Sequence, residues 1–339
     1  MTKLYVIRHA EAEGNIYRRI HGHYDSRITS NGLRQIRALE RRFAAVPIDA
    51  VYASDLNRAM LTAQAISRPK GLPVQAEPRL REVALGDWED IPFGYPETFA
   101  PEQIEAFYHD TEHWQIPGAE SYETYTGRFI RALADAASAH PGGSIAVVTH
   151  GMVSTGGFRR LFGDLMHQAS RCDNTGVSLI EYEDGCFTPV WFYDNSHLTP
   201  EISTLAHQLW WRGKGGFNLW FRPAEAKDRS LFDPEFYPQK GHEVQIALLG
   251  DMPVGYLAFR SDGPSCLYLL PAYRHKRYGD QLLGQVVCTL RGRGADTLRI
   301  GVPTCRTEAL AFFARHGGVI CQMDDVFTVY ELDIRPKQI

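Results

Sequence analysis

Val6–Asn15 reads VIRHAEAEGN, an arginine and a histidine set directly behind a short apolar run that begins at Leu4. A strand that only surfaces would turn polar there without further purpose. A strand built to hold His9 at the mouth of a site would end in the same way, and the stretches that follow separate the two readings. TSNGLRQIRALERRFAAV has helical periodicity from about Leu33. DAVYASD reads as a second strand, ahead of a helix from about Asn57 to Ser67, and GGSIAVVTHG as a third, running into a helix that starts near Met152. TGVSLIEYEDGCFTPVWFYDN reads as a hairpin turning at Asp184-Gly185. Such alternation predicts an α/β fold with a mainly parallel sheet covered by helices, and function at the carboxyl ends of its strands.

Those ends carry cations. Arg8-His9 and His150 each follow a strand, and Arg58 comes just after Ser54-Asp55 at a helix start. In a parallel sheet these positions share one edge, so residues distant in sequence can meet in one crevice. Singly, each is an ordinary surface charge. Together, two guanidiniums and two imidazoles need a multiply charged anion to offset their repulsion, and a phosphoryl group matches arginine's bidentate geometry.

The 339 residues suffice for two domains, with 44% hydrophobic and 22% charged residues. A net charge of −4 and a pI near 6.4 do not suit nucleic acid or an anionic membrane as main partner. Leu4–Ile7 is too short for a signal-peptide core, and no apolar run approaches the ~18 residues of a membrane span. Cysteines 172, 186, 266, 288, 305 and 321 form no C-x-x-C pair, so neither a zinc site nor a disulfide framework is indicated. A cytoplasmic protein with reduced thiols is the expectation.

Residues 1–198 resemble the histidine phosphatase superfamily, the branch that includes cofactor-dependent phosphoglycerate mutase. RHAEAEGN matches its opening R-H-G/A-x-[TES]-x-x-N, GHYDSRITSNGLRQ its next block, SDLNRAMLTA its S-x-L-x-R-A-x-x-T-A, and LREVALGDWE the segment carrying its acid. PGAESYE, VVTHGM and FYDNSHL follow in order at normal spacing. The resemblance implies a three-layer, phosphoglycerate-mutase-like α/β domain. His9 becomes the nucleophile that forms a phosphohistidine, and it must be neutral to attack, so its other ring nitrogen should donate to a backbone carbonyl. Arg8, Asn15, Arg58 and His150 become phosphate ligands, and Glu82 the acid that protonates the leaving oxygen. No metal or other cofactor is implied for this chemistry. Its substrate is a small phosphorylated molecule, with a homodimer left open. Hydrolysis and mutase-type transfer both remain readings. The compact domain favours hydrolysis, with 90–117 as a lid whose aromatics Phe93, Tyr95, Phe99, Phe107, Tyr108 and Trp114 either pack on the core or meet an apolar substrate. His21 and His23 either extend the positive entrance or are solvated loop residues.

Residues 199–216 read as a linker whose GKGG lacks phosphate-loop spacing and whose Trp210 and Trp211 dock on a domain. From 217 to 339 the element order resembles a shortened GNAT acetyltransferase α/β domain, with Pro234 and Pro238 interrupting the space where the family has two helices. The family's pyrophosphate loop, [QR]-x-x-G-x-[GA], appears as YRHKRYGDQLL. Arg274 and Gly279 match and would hold acetyl-CoA or CoA, while Arg277 replaces the middle glycine. Phe313 replaces the tyrosine that protonates the leaving thiolate, Arg306 an asparagine and Gly318 a phenylalanine. These departures set a module of doubtful competence against a bifunctional phosphatase/acetyltransferase.

Overall fold

The run from Leu4 to Ile7 lies at the centre of a sheet. In the computed structural model, which describes residues 1–110, 112–168, 171–208, 218–232, 241–260 and 263–335, β1 (Thr2–Arg8) is followed by α1 (Glu13–Tyr17) and α2 (Ser30–Phe43). β2 (Ala50–Ala53), α3 (Asn57–Lys70) and β3 (Val74–Ala76) come next, then α4 (Gly94–Phe99), α5 (Pro101–His109) and α6 (Tyr122–Ser138). β4 (Ser144–Thr149), α7 (Gly151–Phe162), β5 (Val177–Glu183), β6 (Cys186–Asp194) and α8 (Thr204–Gln208) complete this part.

The strands form one sheet in the order β3-β2-β4-β1-β5-β6. The first four are parallel; β5 and β6 run antiparallel at one edge. β1 and β4 pair from Lys3↔Ser144 to Arg8↔Thr149, which puts His9 and His150 side by side where both strands end. Local chemistry sets the boundaries. Thr29 caps α2 by accepting from Gly32 N–H, Ser121 caps α6 by accepting from Thr124 N–H, and Gly71 ends α3 with φ +65°. The hairpin turns at Asp184-Gly185, with φ +48° and +83°, as the dipeptide predicts.

Both faces of the sheet are covered, giving three layers. Leu39 and Phe43 of α2 and Ala59, Ala63 and Ile66 of α3 bury one face; Phe129 and Leu133 of α6 with Val153 and Phe158 of α7 bury the other. The aromatics of 90–117 divide. Phe107 stacks on Trp114 in the core, Arg18 lies over Phe93, and Phe99 meets Trp220 edge to face at 4.9 Å. Packing accounts for Phe93, Phe107 and Trp114, whereas Phe99 stays largely exposed. Ile202 and Thr204 are buried against α2 through Gln35, so this end of the expected linker is docked; Trp210 and Trp211 lie outside the described residues.

The later part holds two antiparallel sheets. β7 (Trp220–Pro223), β8 (Glu243–Leu249), β9 (Met252–Phe259) and β10 (Cys266–Leu269) form one in the order β10-β9-β8-β7. After α9 (Tyr278–Gly292), β11 (Thr297–Pro303), α10 (Thr307–Arg315), β12 (Val319–Met323) and β13 (Phe327–Asp333) build the other, ordered β11-β13-β12. A parallel bridge between Ser265 and Ile300 joins the two. The short β3 and the wholly exposed edge strand β12 carry no alternating apolar pattern and went unread in the sequence.

Candidate active site

β1 delivers Arg8 and His9, the end of β4 delivers His150, and the first turn of α3 delivers Arg58. The His9 and His150 rings lie 5.0 Å apart between centroids, and the His21 ring lies 5.9 Å from His9. All four of His9, His150, Arg58 and Glu82 are buried.

His9 Nδ1 is 2.7 Å from the carbonyl oxygen of Ala10. A carbonyl only accepts, so Nδ1 carries the proton and Nε2 keeps its lone pair. Burial, then the charges of Arg58 and Arg8, hold this imidazole well below its ordinary pKa of 6.5. His150 accepts from Arg58 Nε at Nδ1 (3.2 Å), which leaves Nε2–H to donate to Ser54 Oγ at 2.8 Å. It too is held well below 6.5, by burial and then Arg58. Arg58 donates to the carbonyls of Tyr24 (2.8 Å) and Gly22 (2.7 Å). Burial brings its pKa down to about 10, which leaves it charged at neutral pH.

Arg8 donates from Nη1 to Cys172 O at 2.9 Å, whereas its Nε is buried without a hydrogen bond. A buried guanidinium N–H with no acceptor among the described residues is a donor that a phosphoryl oxygen can take up. Gly151 makes the room: a Cβ there would stand 3.2 Å from Arg8 Nε. Asn15 Oδ1 accepts from Ala12 N–H (2.9 Å) and Asn174 Nδ2 (3.3 Å), and its own Nδ2 faces His21 Nε2 at 3.4 Å. Glu82 lies against the start of α7. Its Oε2 accepts from Met152 N–H at 3.0 Å and its Oε1 from Val153 N–H at 2.7 Å and Val83 N–H at 3.1 Å.

Arg8, His9, Asn15, Arg58 and His150 are thus brought together, with Glu82 beside the His150–Gly151 turn. His21, left open in the sequence, joins them; His23 instead turns its Nε2 to Glu82 O at 3.0 Å. Other supports were not read from sequence. Arg128 pairs with Glu120 (2.6 Å) and donates to the carbonyls of Arg79, Arg81 and Glu82, fixing the backbone that carries Glu82. Glu89 accepts from Gly22, His23, Tyr24 and Leu85 N–H. Glu120 lies in PGAESYE and Glu89 closes GDWE, so both motifs held the signal. Asn174, which donates to His9 O at 3.0 Å, carried none.

This constellation can accept a phosphoryl group at a neutral histidine between two fixed cations. A model of the histidine phosphatase superfamily (branch 1) matches residues 4–195. The chain belongs to that superfamily. Over 190 residues the chain is 33% identical to the "Probable phosphoglycerate mutase GpmB" of Yersinia pestis, spanning 54% of this chain and 86% of that one. Among solved structures it is similar to YhfR of Bacillus stearothermophilus, with TM-score 0.55, 28% identity, and 58% and 99% of the two chains covered. It is also similar to an alpha-ribazole phosphatase of Shigella flexneri, with TM-score 0.51, 27% identity, and 57% and 96% covered.

A GNAT acetyltransferase family model matches residues 206–318, so the histidine phosphatase domain is fused to a GNAT domain. GNAT domains use acetyl-CoA, and the loop ahead of α9 tests the fit. Arg277, at the family's middle glycine, adopts φ +61°, the left-handed region that favours glycine, and so does His275. Arg274 donates from Nε to Leu269 O at 3.0 Å, with its guanidinium over Tyr268. Asp280, in the first turn of α9, is buried, 3.0 Å from His316 Nε2 and 3.7 Å from Arg277. A buried carboxylate therefore stands in the first turn of the helix whose N-terminal amides a diphosphate would take. Gly279 packs against the Phe312 ring, and Phe313 is buried against Tyr330 with no hydroxyl to offer. These residues do not fit a CoA pyrophosphate. Among the described residues no group of three His, Cys, Asp or Glu side chains could hold a metal ion, and no helix is long and apolar enough to cross a membrane.

Proposed function

We propose that the chain is a cytoplasmic, metal-independent phosphomonoesterase acting on a small phosphorylated metabolite through a phosphohistidine at His9. The observation that carries this reading is the His9 Nδ1–H···O=C bond to Ala10, which leaves a neutral Nε2 lone pair between Arg8 and Arg58. Nε2 attacks phosphorus in line as the bond to the leaving oxygen breaks, and Glu82 gives that oxygen its proton. Arg8, Arg58, Asn15 and His150 bind the phosphoryl oxygens and stabilise the charge spread over them. Glu82, now a carboxylate, takes a proton from water as water attacks the phosphohistidine. Inorganic phosphate leaves and His9 is restored. No acetyl transfer is assigned to the second domain.

The likeness to a protein called a probable phosphoglycerate mutase favours a second reading, in which the phosphoryl group returns to a bound sugar acid rather than to water. Release of inorganic phosphate from 3-phosphoglycerate, against its conversion to the 2-isomer, separates the two. Acid-quenched enzyme incubated with p-nitrophenyl phosphate and EDTA is expected to carry an acid-labile, base-stable phosphoryl group, absent from a folded His9→Ala variant. Near-normal turnover by that variant refutes the assignment.

A further inference from the structure

The segment that carries Asn15 and His21 faces the catalytic centre on one side and the second domain on the other. Tyr17, in α1, is buried within the hydrophobic core of the second domain, among residues that include Leu283, Val286 and Val287 of α9. Mid-way along α9 stands Gly284, where a Cβ would lie 2.4 Å from Tyr17 Cβ. Glycine weakens a helix interior, and here its absence of a side chain is what lets α1 and α9 touch. Glu13, at the start of α1, receives a two-pronged bond from Arg291 on α9, at 3.0 and 3.2 Å. Arg291 also donates to Tyr24 OH at 3.2 Å. Arg19 joins Gln285 of α9 (2.6 Å) to Asp90 (2.7 Å), where the lid segment begins.

The lid is held as well. Asn218 receives Arg18 Nε at 2.9 Å and donates to Glu97 at 2.5 Å, and Gly94 of α4 abuts the Leu219 carbonyl so closely that a Cβ would stand 2.4 Å from it. Residues 13–24 are therefore fixed between two bodies. Their catalytic side supplies Asn15, His21 and the Gly22 and Tyr24 carbonyls that seat Arg58.

We infer that the second domain is a positioning element of the phosphoryl-transfer site: Gly284 and Arg291 on α9 hold residues 13–24, and through them Asn15, His21 and Arg58, in register with His9. The inference rests on the phosphomonoesterase reading. It gives a GNAT fold whose CoA loop no longer fits CoA a structural task in another enzyme's site. Arg291 and Gly284 touch no reacting atom, so they act on binding more than on chemistry.

The test uses the full chain and two readouts, the Kd of inorganic phosphate by calorimetry and kcat and KM for p-nitrophenyl phosphate. Arg291→Met is expected to raise both Kd and KM about tenfold with kcat changed less than about threefold, because only part of the loss of its bonds to Glu13 and Tyr24 reaches the phosphate ligands. Reversing the pair, Glu13→Arg with Arg291→Glu, should restore most of the loss. Gly284→Val should act in the same direction by pushing Tyr17 away; if it fails to fold, Arg291→Met and the reversed pair still decide. A lower Tm with Kd, KM and kcat unchanged in Arg291→Met means a merely structural bridge and overturns the inference, as does failure of the reversed pair to rescue. Wild-type protein that binds phosphate but does not hydrolyse esters sinks the enzyme reading instead, while the phosphate Kd of the variants still judges the positioning role.

Discussion

Replacing Glu82 by glutamine separates its two duties. The carboxylate accepts three amides: Val153 and Val83 at Oε1, at 2.7 and 3.1 Å, and Met152 at Oε2, at 3.0 Å. Glutamine keeps a carbonyl oxygen for the first two but turns an NH₂ toward the Met152 N–H. One charge-assisted bond is lost and a donor faces a donor, at a cost of about 1.5–3 kcal/mol. That cost falls on the start of α7, shows as a lower Tm, and is common to every substrate. Loss of a general acid costs roughly 10²–10⁴-fold in rate, about 3–5 kcal/mol of barrier, and only where the leaving oxygen needs a proton. The assay is therefore a ratio: kcat for glycerol 2-phosphate over kcat for p-nitrophenyl phosphate, whose leaving group scarcely needs protonation. The variant should lower that ratio by roughly 10²–10⁴-fold while its stability falls only modestly. Equal slowing of both substrates would falsify the proton-donor role and leave Glu82 as a cap for α7.

Three further outcomes are expected. His9, His21 and His150 are all held well below 6.5, by burial first and Arg58 second, so the acid limb of the kcat/KM profile should fall clearly below pH 6.5. The same groups protonate in the unfolded chain but not in the folded one, so stability drops as pH falls below 6.5, and His21→Asn should shrink that drop; a limb at 6.5 or above contradicts the buried neutral imidazole. Calorimetry of acetyl-CoA against the full chain should give weak or no heat, given Asp280 at the start of α9, and tight binding with acetylation of any amine would reinstate the bifunctional reading.

Sequence alone determined β1, α2, β2, α3, β4, α7 and the β5–β6 hairpin of the first domain in their order, together with the residues at the strand ends, while β3 and the long α6 went unread. Those features are local: a period of two or 3.6, a cap, or a turn dipeptide such as Asp184-Gly185. The strand-end cations could be read because a parallel sheet gathers its carboxyl ends at one edge whatever the loops do. What only the tertiary structure decided lies between distant residues. Asn174 reaches His9 and Asn15 across a loop that no spacing announces, and Arg128 finds three carbonyls of residues 79–82 from the middle of α6. His21 could as well have been a solvated loop residue until Gly14 left room for its ring: a Cβ at 14 would stand 2.5 Å from His21 Nδ1. The seam between α1 and α9 was hidden most fully. Gly284 looks like any weak spot in a helix and Glu13–Arg291 like two solvated charges, because amphipathic patterning tells which face is buried but not against what. Surface complementarity between elements more than 250 residues apart exists only once both domains have folded, and it is that complementarity which puts a helix of the second domain behind residues 13–24 of the first.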